Sequence, residues 1–146
     1  MFIKIEGKIA VENREKLVKP VIKFKNSTYV DEAKIVISEL KKVNFRVSGD
    51  TLTTSQLRNL LSFTSSIYDE ARNQGIESVL DRIAYLRVQF IYQSGRNAAV
   101  RKLVDLTQID TIIRVIQQNK DEKYLMRLCH YMEALVAFFK YYGGKE

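Results

Sequence analysis

Cysteine occurs once in this 146-residue chain, as Cys129, histidine once, as His130, proline once, and tryptophan not at all. A single thiol excludes an intramolecular disulfide and fits a reducing, cytoplasmic setting. One cysteine and one histidine do not make up the usual ligand set of a zinc site. As neighbours on a helix they point about 100° apart, which argues against a Cys–His nucleophilic pair as well. GxxxxGK[ST], GxGxxG, HExxH and GxSxG are all missing, and the acidic residues are scattered. The expectation is a non-enzyme with no metal and no cofactor. No stretch approaches the roughly 20 apolar residues of a membrane span. The opening MFIKIEGKIA lacks the long apolar core of a signal peptide. With one proline, and six glycines of which only Gly143 and Gly144 adjoin, long helices are permitted.

What is there is apolar residue, at 46%, and positive charge, with a formal net charge of +7. The first suffices for the core of one domain of this length. The second points to an acidic partner such as nucleic acid.

The chain divides at about residue 26. Before it, FIKIEGKIAV alternates apolar and charged residues around Gly7, and VIKFK follows Pro20. Both read as weak strand-like pieces of an N-terminal extension, residues 1–26. From Ser27 onwards, over 27–146, the period is helical. Ser27 or Thr28 opens a first helix, with Asp31 and Glu32 in its first turn and Val30, Ala33, Ile37 and Leu40 facing inwards. VNFRVSGD is a connector. Thr53 or Thr54 opens a second helix that Gly75 ends. A third runs from about Glu77 to Ser94 and stops at Gly95. Asn97 caps a fourth, which loses register near residues 105–108, where a kink or break is expected. A fifth starts near Asp121 and ends at Gly143–Gly144. The predicted fold is all-α: a single-domain bundle of about five helices with a short N-terminal extension.

Four places on these helices carry candidate chemistry. On the second helix, Arg58, Ser62, Ser65, Asp69 and Arg72 form one stripe. It reads either as a solvated face or as a surface that a phosphate backbone approaches closely. On the third, Arg87 falls among Leu80, Ile83, Ala84 and Ile91. A charge inside an apolar arc needs a partner, either an internal acid such as Asp69 or Glu133, or a phosphate. In YQSGRNAAVRK, backbone N–H groups at the helix start attract anions, and Arg96, Arg101 and Lys102 surround the turn. The fifth helix has a core stripe of Leu125, Leu128, Met132, Leu135, Val136 and Phe139. Beside it runs a second stripe, Arg127, Tyr131, Ala134, Phe138 and Tyr141. Either another part of the chain covers this stripe or it is an interaction site. Tyr131, Phe138 and Tyr141 are therefore candidate subunit-interface residues.

LTTSQLRNLLS (52–62), YLRVQFIYQSGR (85–96) and RLCHYMEALVAFFKYYGGK (127–145) resemble the small helical subunit of the Csm complex, the type III-A CRISPR ribonucleoprotein. The resemblance runs from about Tyr29 to the C-terminus and leaves residues 1–26 outside. It implies a non-catalytic, RNA-binding structural subunit for antiviral defence. Copies would stack head to tail beside the backbone subunits, along the duplex of guide RNA and target RNA. They would also contact the large signalling subunit. Implied partners are thus the backbones of target and guide RNA, neighbouring copies of the chain and the other Csm subunits, with no membrane. By motif, Arg58, Arg87, Arg96 and Arg127 are the implied RNA contacts, and Arg101 and Lys102 join them on electrostatic grounds. The competing reading is a basic helical protein–protein interaction module without direct RNA contact.

Overall fold

The computed structural model describes residues 17–146, and the strand-like piece expected at FIKIEGKIAV lies outside that range. The described residues form six α-helices and one two-stranded hairpin. In order these are α1 (Tyr29–Lys41), β1 (Arg46–Val47), β2 (Asp50–Thr51), α2 (Thr54–Gln74), a short 3₁₀ turn (Ile76–Val79), α3 (Leu80–Arg96), α4 (Ala98–Thr107), α5 (Ile109–Asn119) and α6 (Glu122–Tyr141).

Local chemistry sets most boundaries. Thr53 caps α2 in a capping box: its hydroxyl accepts from the Gln56 amide, and the Gln56 side chain accepts from the Thr53 amide. Such caps are each worth about 1 kcal/mol. Gly75, with φ of +89°, ends α2. The lost register at 105–108 is a full break. Gln108 takes a left-handed conformation, φ +56°, and separates α4 from α5. Asp121 caps α6 through the Tyr124 amide. The far end closes when the Gly143 amide donates to the Lys140 carbonyl and the Gly144 amide to the Phe139 carbonyl. These are the paired bonds of a Schellman stop.

Four boundary expectations are corrected. Helix α3 does not stop at Gly95 but continues through it to Arg96, because Asn97 is the first residue with extended backbone, φ −145° and ψ 120°. The connector at 43–50 contains a hairpin, with Arg46 opposite Thr51 and Val47 opposite Asp50. Its two turn residues, Ser48 and Gly49, both have positive φ, as a type I′ turn requires. Residues 21–25 form no strand. Val30 is exposed, and α1 instead buries Ala33, Val36, Ile37 and Leu40.

The core is built chiefly where α6 packs against α2 and α1, and where α3 packs against α4 and α5. Ile67, Phe90, Leu103, Ile113, Leu135 and Phe139 are among its fully enclosed side chains. Residues 17–26 run as an extended strap over α1 and α6, and Leu17 and Phe24 of the strap belong to the same core. The strap is held by acids. Glu39 accepts from the Val18 amide, and Glu32 accepts from the Lys23 and Phe24 amides and the Thr28 hydroxyl. Burial alone would raise the Glu39 carboxyl. Hydrogen bonds from Lys42 and the Val18 amide, with the Lys42 charge, overcome that and leave it below its usual value.

Candidate nucleic-acid interface

Helices α2 and α3 lie antiparallel. Arg82 of α3 donates to Glu70 at 2.7 Å and to the Ser66 hydroxyl at 3.0 Å, both on α2. Arg58, two turns before Ser66, and Arg96, at the last turn of α3, therefore fall at the same end of this pair. Both are exposed, and neither forms an ion pair among the described residues. Arg58 stands near the C-terminal tail: the Thr54 amide and hydroxyl both donate to the Lys145 carbonyl, and the Arg58 charge lowers the Glu146 carboxyl together with the stronger effect of Lys140. The Arg96 guanidinium stands 5.6 Å from the centre of the Tyr92 ring.

The α3–α4 turn differs from its expected form. The amides of Ala99 and Val100 donate to the side chain of Asn97, and that of Ala98 to the carboxylate of Asp50 at 2.8 Å. The hairpin carries Asp50 there. The helix start is thus already occupied by an internal anion, so backbone capture of a phosphate is corrected. Arg101 and half-buried Lys102 remain without ion partners among the described residues. Arg101 lines a groove of about 540 Å³ with Lys19, Asp105 and Asp110. Those two carboxylates oppose the cations there, so the groove is electrostatically balanced rather than basic.

Arg87 is ion-paired within the chain, but to neither expected acid. Its partner is Asp110, with Nε donating at 2.7 Å and Nη2 at 3.2 Å. Asp110 stands in the first turn of α5, the helix that packs on this side of α3. The hydrogen bond to Asp110 raises the Arg87 pKa further and keeps it charged.

Arg127 is committed to the strap. Its guanidinium donates to the Phe24 carbonyl and the Asn26 side chain, and it lies 4.6 Å from the Tyr124 ring centre. The second stripe of α6 is corrected accordingly. Tyr131 is fully buried beneath the strap, its ring 5.5 Å from that of Phe24. It is not a surface residue of this fold. Phe138 is half-buried and stacks on Tyr142, and only Tyr141 is freely exposed, at 81%. The strap covers the first part of the stripe, at Arg127 and Tyr131.

Two groups of residues escaped sequence reasoning. Glu32 and Glu39 were legible only as helix acids, although they fix the strap. Tyr85, Val88 and Tyr92 form an exposed apolar and aromatic stripe on α3. Their spacing of three and four residues was visible, but helical phase alone does not say which of two apolar faces is covered. No group of three or more His, Cys, Asp or Glu side chains suited to a metal exists among the described residues. No helix there is long and apolar enough to cross a membrane.

The Csm2 type III-A family model matches residues 30–145. The chain is 46% identical over 121 residues to the CRISPR system Cms protein Csm2 of Streptococcus thermophilus, covering 83% of this chain and 96% of the relative. It is 38% identical over 122 residues to the protein of that name from Mycobacterium tuberculosis, covering 81% and 94%. With that of Enterococcus italicus it shares 37% identity over 120 residues, covering 75% and 86%. The chain belongs to the Csm2 family, the small subunit of the type III-A CRISPR Csm complex.

Proposed function

We propose that the chain is a non-catalytic RNA-binding subunit that lies along the guide RNA–target RNA duplex in stacked copies and helps hold the target strand. Membership in the Csm complex implies the other Csm subunits as partners. The observation that carries the RNA reading is the position of Arg58 and Arg96. They are two exposed arginines with no ion partner among the described residues, towards one end of the α2–α3 pair, in a chain of net charge +7. Arg101 and Lys102, one turn into α4, are two further cations with no ion partner among the described residues. Arg87 and Arg127, whose donors are engaged internally, serve to position helices and strap. Contacts to phosphate and ribose suit a subunit that accepts any guide sequence.

The test is RNA binding by the intact chain across a salt series. Wild type is expected to bind unrelated sequences with similar affinity and a steep loss on raising salt. Arg58→Ala with Arg96→Ala is expected to weaken all sequences equally and to reduce the salt slope by about two. Unchanged affinity and slope would remove this end of the molecule from the RNA surface. The stacking of copies rests on a separate feature, the exposed ring of Tyr141 next to Phe138 and Tyr142. Tyr141→Asp, a surface change, is expected to reduce self-association while leaving RNA affinity unaltered.

A further inference from the structure

Between α2 and α3 runs a groove with no occupant among the described residues. One part, of about 280 Å³, is lined by Ser62, Ser66, Ile67, Asp81 and Arg82, and it continues past Phe63 into a part of about 300 Å³. The second part is formed by Phe63, Tyr85, Val88, Gln89, Tyr92 and Gln93, with no carboxylate. Tyr85 and Tyr92 are each 60% exposed. They are seven residues apart on a helix, so their Cα atoms are separated along the axis by about 10.5 Å (7 × 1.5 Å). A stacked nucleic-acid strand advances about 3.4 Å per nucleotide, so this separation is about three nucleotide steps.

We propose that this groove takes the unpaired bases of a single RNA strand, with Tyr85 and Tyr92 as stacking platforms about three nucleotides apart. The inference rests on the RNA reading above and gives it a second kind of contact, to base faces rather than phosphates. Three features favour a nucleic-acid strand over a protein helix. The lining of the second part is dominated by aromatic rings and side-chain amides, with Val88 its one aliphatic residue; these groups stack on bases and donate to or accept from base edges. The groove ends at Arg96, whose guanidinium beside the Tyr92 ring puts positive charge where the strand's phosphates would run. The exposed Arg58 stands at the same end. Stacking on rings is indifferent to base identity, as a subunit that serves any guide must be.

The test compares two short single-stranded RNAs of equal length on the intact chain: an ordinary strand and one carrying abasic sites throughout. Wild type is expected to prefer the ordinary strand by at least about fivefold per engaged ring. Tyr85→Ala with Tyr92→Ala is expected to abolish that preference while leaving the salt slope unchanged. Tyr85→Phe with Tyr92→Phe is expected to retain it. Both tyrosines are exposed, so far-ultraviolet circular dichroism should be the same for all variants. Equal binding of the two strands by wild type overturns the stacking role and leaves the RNA reading standing. Binding of neither strand overturns both. Loss of association with other Csm subunits in the Ala variant, with RNA preference intact, overturns the proposal in favour of a protein dock.

Discussion

Arg127 reaches across more than a hundred residues of sequence to donate from Nη1 to the carbonyl oxygen of Phe24 at 2.8 Å. Its Nε donates to Asn26 at 3.0 Å, and the Phe24 and Tyr124 rings lie 5.6 and 4.6 Å from its guanidinium carbon. One side chain therefore closes the strap over α6. A hydrogen bond from a charged donor is worth about 1.5–3 kcal/mol net, and Arg127 is half-buried, so the lower part of that range applies. Arg127→Ala is expected to lose about 1–2 kcal/mol in urea unfolding and to speed tryptic cleavage at Lys23 and Lys25. Arg127→Lys should rescue little, because an ammonium does not reproduce the forked geometry. Unchanged stability with lost RNA affinity would mean that this arginine serves RNA instead of the strap.

The helices themselves were written plainly in the sequence. Thr53, Asn97 and Asp121 each cap the helix they precede, and the loss of register at 105–108 marks a true break at Gln108. These are local signals, carried by residues three or four apart. The site was less legible because it depends on pairings between distant segments. The sequence suggests Asp69 or Glu133 as the partner of Arg87, and Asp110 emerges only when α5 is seen to pack beside α3. Asp50 at the start of α4 requires the type I′ turn at Ser48–Gly49, whose short signal lay within an apparent connector. The second aromatic stripe of α6 had the phase of an interface, and only the strap shows that Tyr131 lies inside.

The Tyr131 hydroxyl is buried with no hydrogen-bond partner among the described residues. Burial, with a smaller contribution from the Glu32 charge, pushes its pKa well above that of an ordinary tyrosine. An unpartnered buried hydroxyl costs about 1–3 kcal/mol, whereas the ring contributes through its packing against Phe24. Tyr131→Phe is therefore expected to be neutral or to stabilise by up to about 1 kcal/mol in thermal unfolding. Tyr131→Ala should destabilise by about 3–5 kcal/mol through the cavity it leaves. If Tyr131→Phe instead destabilised clearly, the hydroxyl would have a partner.

The Glu39 carboxyl links the strap to pH. Its folded pKa lies below the ordinary value of 4.5. A depressed acid contributes stability that is present above its unfolded pKa and lost as pH falls through the lower folded value. The strap contribution is thus complete above about pH 5.5 and declines on acidification below 4.5. Glu39→Gln is expected to flatten this part of the stability–pH curve between about pH 3 and 5. A curve of unchanged slope in the variant would assign the acid sensitivity to other carboxylates.

Cys129 tests how closed the centre of α6 is. The thiol is 3% exposed, and burial, helped by the neighbouring Glu133 carboxylate, pushes its pKa up to about 11. At neutral pH the thiolate is therefore scarce as well as shielded. Alkylation by iodoacetamide at pH 7.5 is expected to be slower than for the urea-unfolded chain by at least about 100-fold, since a two-unit pKa shift alone accounts for that factor in thiolate. Native-state labelling should accelerate in Arg127→Ala only if loosening the strap also opens α6. An unchanged rate in that variant would show that the strap lifts independently of the α2–α6 core. Fast labelling of the wild type would contradict the closed packing around Cys129 itself.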